Sequence, residues 1–370
     1  MIRADSNAIY APPGYLLFAR DAKLMAQTFD PQQLITRGEP ISITEHFEKL
    51  SPTINQQVFL MTSSENGILA YHSGDPEKTR LQWFDRTGAQ IGEIESDSSN
   101  LSPAISPDGT RLAFDGGSSQ MSNQDVWLMD LASGIKSQLT TNPATDWIPV
   151  WSPDGNRIIF ASNRGGYYDL YLKSTDSPSS DELLFESKTN KTPYDWSQDG
   201  RYLTFSSSTE KTGDDVWVLP VKGDLEPFSL LQSEANELLC MFSPNGKWIA
   251  YSSDESGRPQ IYVRSFPVSE SKWVVSTQGG YQPKWRRDGQ ELFYLGPDGK
   301  LISAEVKSGR SFEAGVPRPL FRLKTPQAAG QYDRYYAVTP DGQRFLVKSV
   351  AEQTNSTAIS IVMNWTAMIK

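Results

Sequence analysis

Few residues of this chain have the types and spacing that catalysis needs. Adjacent carboxylates occur at Asp214-Asp215 and Asp254-Glu255, whereas glycoside cleavage needs two carboxylates that face each other across the sugar bond. The histidines are His46 and His72, and neither lies in a motif for a Ser-His-Asp or Cys-His arrangement. Because Cys240 is the single cysteine, a zinc site is disfavoured and no disulfide can form within the chain. The sequence therefore predicts no catalytic residue, no metal site and no cofactor.

A turn phrase that recurs along the chain determines how functional residues must be positioned. Its clearest copies are Ser106-Pro107-Asp108-Gly109, Ser152-Pro153-Asp154-Gly155, Ser197-Gln198-Asp199-Gly200 and Ser243-Pro244-Asn245-Gly246, and looser copies are Glu65-Asn66-Gly67, Arg287-Asp288-Gly289 and Pro340-Asp341-Gly342. From residue 108 to residue 154 the interval is 46 residues, and from 154 to 199 it is 45. A period of this length is typical of one four-stranded β-propeller blade. Because a blade cannot bury its own faces, the pattern predicts a ring of blades.

The residues around each turn predict the same local structure in every copy. Asp-Gly or Asn-Gly between two short β-prone runs indicates a hairpin, and the glycine supplies the positive φ of its turn. An aromatic residue lies six positions after the Asp or Asn in five copies. We expect these aromatic side chains to be buried at equivalent positions of second strands: Phe114, Phe160, Phe205, Tyr251 and Tyr294. We expect positive φ angles at the turn glycines Gly109, Gly155, Gly200 and Gly289.

The predicted fold class is all-β: a β-propeller of four-stranded antiparallel blades, built from eight sequence repeats in a single domain over residues 1–370. The repeats are predicted near residues 7–43, 53–95, 100–140, 146–186, 191–232, 237–276, 280–322 and 332–369. In the first repeat, Pro12-Pro13-Gly14 replaces the Asp-Gly turn. Eight blades in one ring is the first choice, and six or seven blades with terminal strands packed outside is the second. The ring could close by pairing N-terminal residues with the last blade.

The connections opposite the Asp-Gly turns form the predicted binding face, which we call the loop face. Asp-Gly turns are short and chemically repetitive, whereas the loops between second and third strands and between blades vary in length and chemistry. Recognition commonly uses such variable loops on a rigid scaffold, and mixed charges with aromatic residues suit a protein or peptide ligand. The predicted partner-binding residues are Asn100, Asp146, Trp147, Arg164, Lys191, Glu237, Arg258 and Tyr281.

Charge and hydropathy exclude two classes of partner. The net charge is −9 and no basic stripe is present, which argues against a nucleic-acid surface. No stretch approaches the length of a transmembrane helix, and the N-terminal residues lack the apolar segment of a secretory signal. We therefore expect neither nucleic-acid binding nor membrane insertion by this chain.

Several phrases carry a family resemblance. The phrase Pro149-Val150-Trp151-Ser152-Pro153-Asp154-Gly155, with Ile158-Ile159-Phe160-Ala161-Ser162-Asn163-Arg164 after it, resembles the WD-like propeller repeat of TolB-type proteins. The Gly-His and Trp-Asp dipeptides of true WD repeats are absent. The whole chain is similar to the C-terminal propeller region of large bacterial transmembrane serine/threonine kinases, common in acidobacteria. The passages that carry this similarity include residues 10–18, 24–31 and 285–289, and residues 341–347 followed by Asn364-Trp365-Thr366-Ala367.

This resemblance implies a sensor or interaction domain outside the cytoplasm, in the periplasm or beyond it. In those kinases a kinase domain and a membrane helix precede the propeller, and this sequence contains neither. We therefore expect a gene fragment, a truncated form or a stand-alone relative, and no kinase activity. TolB-type propellers bind protein partners through one face and the central channel.

The predicted function is a non-catalytic scaffold that binds a protein or peptide, as the sensor part of a signalling system. The alternative is a propeller enzyme, or the accessory domain of a peptidase or glycan-cleaving hydrolase with its active site in the channel. Inward-facing carboxylates with a histidine in the channel would favour the enzyme. A channel mouth of mixed side chains without such a cluster would favour binding.

Overall fold

The computed structural model describes residues 4, 6–20, 23–44, 47, 50–53, 56–58, 61–72, 79–94, 102–117, 124–176, 180–209, 212–223, 226–268, 271–309, 311–324, 334–350 and 359–369. Over these ranges the regular structure is β-strand apart from one short 3-10 helix, so the all-β prediction is confirmed. The chain divides into two compact units. Unit 1 comprises Met1–Glu77, Pro326–Gln331 and Ala351–Lys370, and unit 2 comprises Lys78–Thr325 and Tyr332–Val350.

Unit 1 contains three small antiparallel sheets in its described residues. The first is β1 (Ile9–Ala11), β2 (Tyr15–Arg20), β3 (Lys23–Asp30) and β4 (Ile35–Ser42). The second is β5 (Leu50–Thr53) with β6 (Gln56–Val58), and the third is β7 (Met61–Ser63), β8 (Ile68–His72) and β34 (Ile359–Met363). A 3-10 helix follows at Trp365–Ile369. Trp365 is fully buried in the core of this unit beside Leu17, Leu24 and Leu69.

Unit 2 consists of six sheets over its described residues, which we call blades 1 to 6. Blade 1 contains β11 (Ala104–Ile105), β12 (Arg111–Gly116), β13 (Asp125–Asp130) and β14 (Lys136–Gln138). Blade 2 contains β15 (Asp146–Trp151), β16 (Arg157–Ser162), β17 (Asp169–Ser174) and β18 (Glu182–Phe185). Blade 3 contains β19 (Lys191–Trp196), β20 (Tyr202–Thr209), β21 (Gly213–Pro220) and β22 (Phe228–Leu231).

The remaining blades follow the same antiparallel order with two variations. Blade 4 contains β23 (Glu237–Phe242), β24 (Trp248–Ser253), β25 (Gln260–Ser265) and β26 (Lys272–Val274). Blade 5 contains β27 (Tyr281–Trp285), β28 (Glu291–Leu295) and β29 (Lys300–Ser308), and β29 pairs with both β30 (Phe312–Ala314) and β31 (Arg318–Arg322). Blade 6 contains, in spatial order, β32 (Tyr336–Val338), β33 (Arg344–Val350), β9 (Thr79–Asp85) and β10 (Gln90–Ile94).

Blade 6 closes the ring by joining two distant parts of the chain. Strand β33 pairs antiparallel with β9, from Arg344 opposite Asp85 to Val350 opposite Thr79. Buried apolar clusters lie between all pairs of successive blades in the described part of unit 2. The pair Phe293–Phe345, with ring centroids 5.2 Å apart, belongs to the cluster between blades 5 and 6. Each blade therefore buries both of its faces, as a propeller requires.

This pairing corrects the predicted strand assignment of two repeats. The repeat near 53–95 supplies β7 and β8 to unit 1 but β9 and β10 to blade 6. The repeat near 332–369 supplies β32 and β33 to blade 6 but β34 to unit 1. The physical reason is that an open ring exposes two unpaired sheet edges, and a blade shared between distant chain segments removes them. Over its described residues, the ring of unit 2 has six blades, the second-choice number, rather than eight.

The local predictions for strands and turns are confirmed. The five aromatic residues lie on the second strands of blades 1 to 5 and are at most 5% exposed. The glycines of the Asp-Gly turns have positive φ angles, for example 77° at Gly109 and 73° at Gly155. Cys240 is fully buried in the cluster between blades 3 and 4, and burial raises the pKa of its thiol.

Candidate functional site

Unit 2 contains a cavity of about 210 Å³, which we call the funnel, lined by the first strands of all six blades and the turns that follow them. Three aligned positions of every blade contribute to its lining. The turn tier is Pro107, Pro153, Gln198, Pro244, Arg287 and Pro340. The apolar tier, two positions earlier, is Ile105, Trp151, Trp196, Phe242, Trp285 and Val338. The floor tier, three positions before the turn tier, is Ala104, Val150, Asp195, Met241, Lys284 and Ala337.

The funnel opens on the side of the Asp-Gly turns, which we call the turn face. In the turn tier, Gln198 and Arg287 are exposed and the prolines are half-buried. Arg287 donates a hydrogen bond from Nη1 to the carbonyl oxygen of Pro107, so its side chain lies along the mouth. At the other end, Arg334 lines the funnel and is only 4% exposed. The accessible end of the cavity is therefore the end that carries the turns.

The turns that form the mouth are fixed by their own polar side chains. In blade 1, the Ser106 hydroxyl donates to Asp108 Oδ1 at 2.5 Å and accepts from the Arg111 amide at 2.9 Å. The hydroxyl bond from Ser106 is the main cause that lowers the pKa of Asp108 to about 2. The same hydroxyl-to-carboxylate bond occurs between Ser152 and Asp154. These carboxylates are therefore occupied within their turns, as an Asx-type turn predicts, and are not free ligand groups.

Two of the three tryptophans of the apolar tier connect neighbouring blades, whereas Trp196 Nε1 has no hydrogen-bond partner among the described residues. Trp151 Nε1 donates to the carbonyl oxygen of Ala104 in blade 1 at 2.8 Å, and Trp285 Nε1 donates to that of Met241 in blade 4 at 3.3 Å. The Arg111 guanidinium lies 4.9 Å from the Trp151 ring centroid, within the range of a cation–π contact. The wall of the funnel is therefore apolar, and hydrogen bonds hold two of its indoles in place.

Arg334 lies just before the first strand of blade 6 and connects it with the first strands of blades 2 and 3. Its guanidinium donates to the carbonyl oxygens of Pro149 at 3.0 Å, Pro193 at 2.8 Å and Tyr194 at 3.0 Å. These carbonyls lie where first strands lose register with second strands. The pairing of β15 with β16 is interrupted between Trp147 and Val150, and that of β19 with β20 between Pro193 and Asp195. A β-bulge leaves backbone groups without ladder partners, and Arg334 satisfies them.

Two opposite charges stand in the otherwise apolar floor tier. Lys284 is half-buried, and its Nζ donates to the sulfur of Met241 at 4.0 Å. Asp195 accepts a hydrogen bond of 2.8 Å from the Phe242 amide. Burial lowers the pKa of the Lys284 ammonium, and the Arg334 cation lowers it further. Burial raises the pKa of the Asp195 carboxyl, against the opposing effect of the Lys284 cation.

Several residues of the predicted loop face are bound within the chain. Arg164 donates to both oxygens of the fully buried Asp146 at 3.1 Å and to Asp181 at 2.7 Å. Lys191 is fully buried, and its ammonium is paired with the Asp169 carboxylate and donates to a backbone carbonyl at 2.9 Å. These ion pairs therefore hold neighbouring strands and loops together. The predicted role of these residues in partner binding stays a prediction.

The other predicted loop-face residues have more varied surroundings. Trp147 is half-buried against Tyr168, with ring centroids 5.1 Å apart. Glu237 is 4% exposed and accepts from Ser233. Tyr281 is half-buried beside the cluster between blades 5 and 6.

Arg258 is exposed, whereas Asn100 lies outside the described residues. Their partner-binding roles, like those of Trp147, Glu237 and Tyr281, stay predictions.

The residues that the sequence reasoning missed are Asp195, Lys284 and Arg334. A signal for two of them exists in the repeat itself: the position three before the turn tier is small or aliphatic in most blades, but is Asp195 in blade 3 and Lys284 in blade 5. Charged residues at an aligned strand position that is otherwise apolar indicate a functional or strained site. Arg334 has no such alignment, because it precedes β32 and belongs to no turn phrase.

In the described part of the chain, no cluster of three or more His, Cys, Asp or Glu side chains could hold a metal ion. Over those same ranges, no helix is long and apolar enough to cross a membrane.

Comparisons with known proteins agree with this architecture. The model of the TolB β-propeller domain family, PD40, matches residues 55–218. An uncharacterized protein of Agrobacterium fabrum is 25% identical over 209 residues, which cover 53% of this chain and 69% of that protein. The Tol-Pal system protein TolB of Alcanivorax borkumensis is 28% identical over 160 residues, which cover 41% of this chain and 35% of that protein. The match thus spans about a third of that TolB.

A solved structure gives the same fold. A candidate TolB from Agrobacterium tumefaciens superimposes with a TM-score of 0.57 at 17% sequence identity, covering 74% of this chain and 99% of that one. At this identity the likeness concerns the fold alone. The sequence matches make part of this chain similar to TolB propellers, and the sheet topology is that of a β-propeller.

Proposed function

We propose that unit 2 is a non-catalytic scaffold that receives a segment of a protein partner in the funnel. The observation that carries this proposal is the funnel itself: a cavity of about 210 Å³, open on the turn face, with an apolar wall and a charged floor. Ligand sites are typically concave, mostly apolar and supplied with a few placed polar groups. Aromatic side chains are enriched among the residues that contribute most to protein–protein binding. Trp151 and Trp285 supply such side chains to the wall of the funnel. A cavity of this size admits a short segment and not a folded domain.

The composition of the funnel supports binding over the alternative of a channel enzyme. Among its lining residues Asp195 is the one carboxylate, and no histidine is present. Glycoside cleavage needs two carboxylates across the bond, and Ser-His-Asp hydrolysis needs a histidine base beside the nucleophile. The lining residues supply neither set.

The similarity to TolB proteins of the Tol-Pal system also supports a protein partner, since those proteins are named for a multi-protein system. The finer proposal, that the scaffold is the sensor part of a signalling system, is supported by the resemblance to the propellers of bacterial kinases. The loop face predicted from the sequence is a competing site on the same ring, and the experiment must separate the two faces.

The test uses peptides selected on the full chain from a library of random dodecapeptides. Ala104→Trp would fill much of the floor, and Gln198→Trp would narrow the mouth at an exposed position. The control, Trp147→Ala with Arg258→Ala, alters the loop face. We expect each funnel variant to weaken peptide binding by about tenfold or more, and the loop-face variant to change it by less than about twofold.

Thermal unfolding of each variant separates lost binding from lost folding. If Ala104→Trp fails to fold, Gln198→Trp carries the test, because its side chain is exposed. Unchanged binding by a folded funnel variant, together with lost binding by the loop-face variant, would assign the site to the loop face and overturn the proposal.

A further inference from the structure

The Lys284 ammonium lies in an unusual position for a lysine. Four of its five equivalents in the floor tier are Ala104, Val150, Met241 and Ala337, so the ring around it is largely apolar. A lysine ammonium has three N–H donors, and the hydrogen bond that Nζ makes within the described residues goes to the sulfur of Met241 at 4.0 Å. A thioether is a weak acceptor. A partly desolvated ammonium with one weak acceptor gains stability from any stronger acceptor that enters the cavity.

The charges around Lys284 favour an anion as that acceptor. Arg334 is buried, and its guanidinium donates to three neutral carbonyl oxygens, while the Asp195 and Asp115 carboxylates act on its charge electrostatically. Asp195 is the one carboxylate among the lining residues, and it also accepts from the Phe242 amide. Among the residues that line the cavity at its floor, two cations therefore accompany one carboxylate. Burial, and after it repulsion by Arg334, lowers the pKa of Lys284 to about 7 against the opposing effect of Asp195, so the ammonium form predominates below that pH.

The wall above the floor restricts what can carry the anion. A ligand that reaches Lys284 must pass the indole and phenyl groups of Trp151, Trp196, Trp285 and Phe242. Such a ligand needs an apolar body and a compact anionic head. A carboxylate fits one ammonium with an adjacent positive field, whereas phosphate sites typically offer guanidinium forks or several backbone amides.

We propose that the funnel floor is a receptor for a carboxylate on an extended peptide segment, with the Lys284 ammonium as its hydrogen-bond donor and Arg334 as the fixed charge beneath. The carboxylate comes either from the C-terminus of the segment or from an Asp or Glu side chain within it. Apolar residues next to the carboxylate pack against the tryptophans of the apolar tier. This inference rests on the proposed function, since it names the chemistry that the same cavity recognises.

The first test needs no variant of the protein. The probes are 4-phenylbutyrate, 4-phenylbutanamide and 4-phenylbutylamine, which share one apolar body and carry a negative, neutral or positive head. Calorimetric titration of the full chain should show the carboxylate binding about tenfold more tightly than the amide, and the amine weakest. Equal binding of the acid and the amide, or tighter binding of the amine, would overturn the inference.

The second test uses the selected dodecapeptides and a matched pair of lysine variants. Lys284→Met removes the ammonium while keeping an unbranched side chain, and Lys247→Met makes the same change at an exposed position of the blade 4 turn. We expect Lys284→Met to weaken binding by about tenfold and Lys247→Met by less than about twofold. The C-terminus of the peptide and its acidic side chains are amidated separately. The amidation that weakens peptide binding identifies the carboxylate that the floor receives.

The outcomes separate this inference from the proposed function. If Ala104→Trp or Gln198→Trp abolishes peptide binding while Lys284→Met and both amidations leave it intact, the funnel is a binding site but not a carboxylate receptor. If no funnel variant affects peptide binding, both the inference and the proposed function are overturned. If Lys284→Met does not fold, the acid-to-amide comparison on the unaltered chain still decides.

Discussion

Arg334 Nη2 donates a hydrogen bond of 2.8 Å to the carbonyl oxygen of Pro193, and through it the chain just before blade 6 is attached to the first strand of blade 3. The same guanidinium bonds the carbonyls of Pro149 and Tyr194, so one buried cation holds the first strands of two blades. The floor of the funnel is therefore a rigid part of the ring. A binding site on such a floor is preorganised.

Arg334→Met should destabilise the fold strongly, because it removes the guanidinium that donates to three buried carbonyl oxygens. The cost of orphaning buried acceptors predicts a loss of about 3 kcal/mol or more in the free energy of unfolding, measured in urea. Arg258→Met, at an exposed position, is the control and should change stability by about 0.5 kcal/mol at most. Equal stability of both variants would mean that Arg334 does not hold the first strands.

Arg164→Met tests whether the loop-face ion network is structural. The substitution removes the partner of the fully buried Asp146 and one partner of Asp181, and breaking a buried ion pair costs about 3–5 kcal/mol. The matched Arg258→Met, at an exposed position, should cost less than about 0.5 kcal/mol. A stable Arg164→Met variant that loses peptide binding would instead support the recognition role predicted from the sequence.

Gly155→Val tests the turn prediction. Gly155 has a φ of 73°, and a β-branched side chain is strained in that backbone region by about 1–2 kcal/mol. Gly309→Val provides the control, because no atom lies within 4 Å of a side chain added at Gly309 and no positive φ occurs there. We expect the melting temperature to fall for Gly155→Val and to change little for Gly309→Val. Identical melting temperatures would contradict the turn geometry.

Glu237→Gln should stabilise the fold at alkaline pH. Burial raises the pKa of the Glu237 carboxyl from 4.5 to about 6, and nearby Asp215 raises it as well. A raised folded-state pKa means that the protonated form contributes stability below about pH 4.5, and that this contribution is lost as the pH rises through 6. The neutral glutamine should therefore gain about 1–2 kcal/mol over glutamate near pH 8, and nothing near pH 4.

The control for this pH effect is Glu313→Gln, at an exposed position. Its unfolding free energy should follow that of the unaltered chain at both pH values. A gain for Glu237→Gln that is the same at acid and alkaline pH would show that the carboxyl is not the titrating group.

The parts of the fold that the sequence predicted are those encoded within one repeat. The turn at Gly155 and the buried position of Phe160 follow from local spacing, because a turn needs its glycine and a second strand needs its core residue. The sharing of blade 6 between β9 and β33 could not be read in this way, since pairing across more than two hundred residues leaves no local pattern.

The candidate site was predicted less well than the fold. Asp146 and Lys191 are polar residues at the ends of first strands, and sequence alone does not show whether such residues face a partner or an ion pair within the chain. Conversely, Lys284 and Arg334 are charged residues that a sequence reader assigns to the surface. Their position at the floor of a cavity depends on the assembly of six blades, because each blade supplies only one part of the lining.

The central claim is that a partner segment binds in the funnel, and photo-crosslinking tests it most directly. Benzoylphenylalanine is placed either at Arg287, on the mouth of the funnel, or at Arg258, on the loop face; both positions are exposed and both replace a long side chain. Each protein is irradiated with the same selected dodecapeptide, and the cross-linked product is mapped by mass spectrometry. We predict a cross-link from position 287 and none from position 258. A cross-link from position 258 with none from position 287 would contradict the claim.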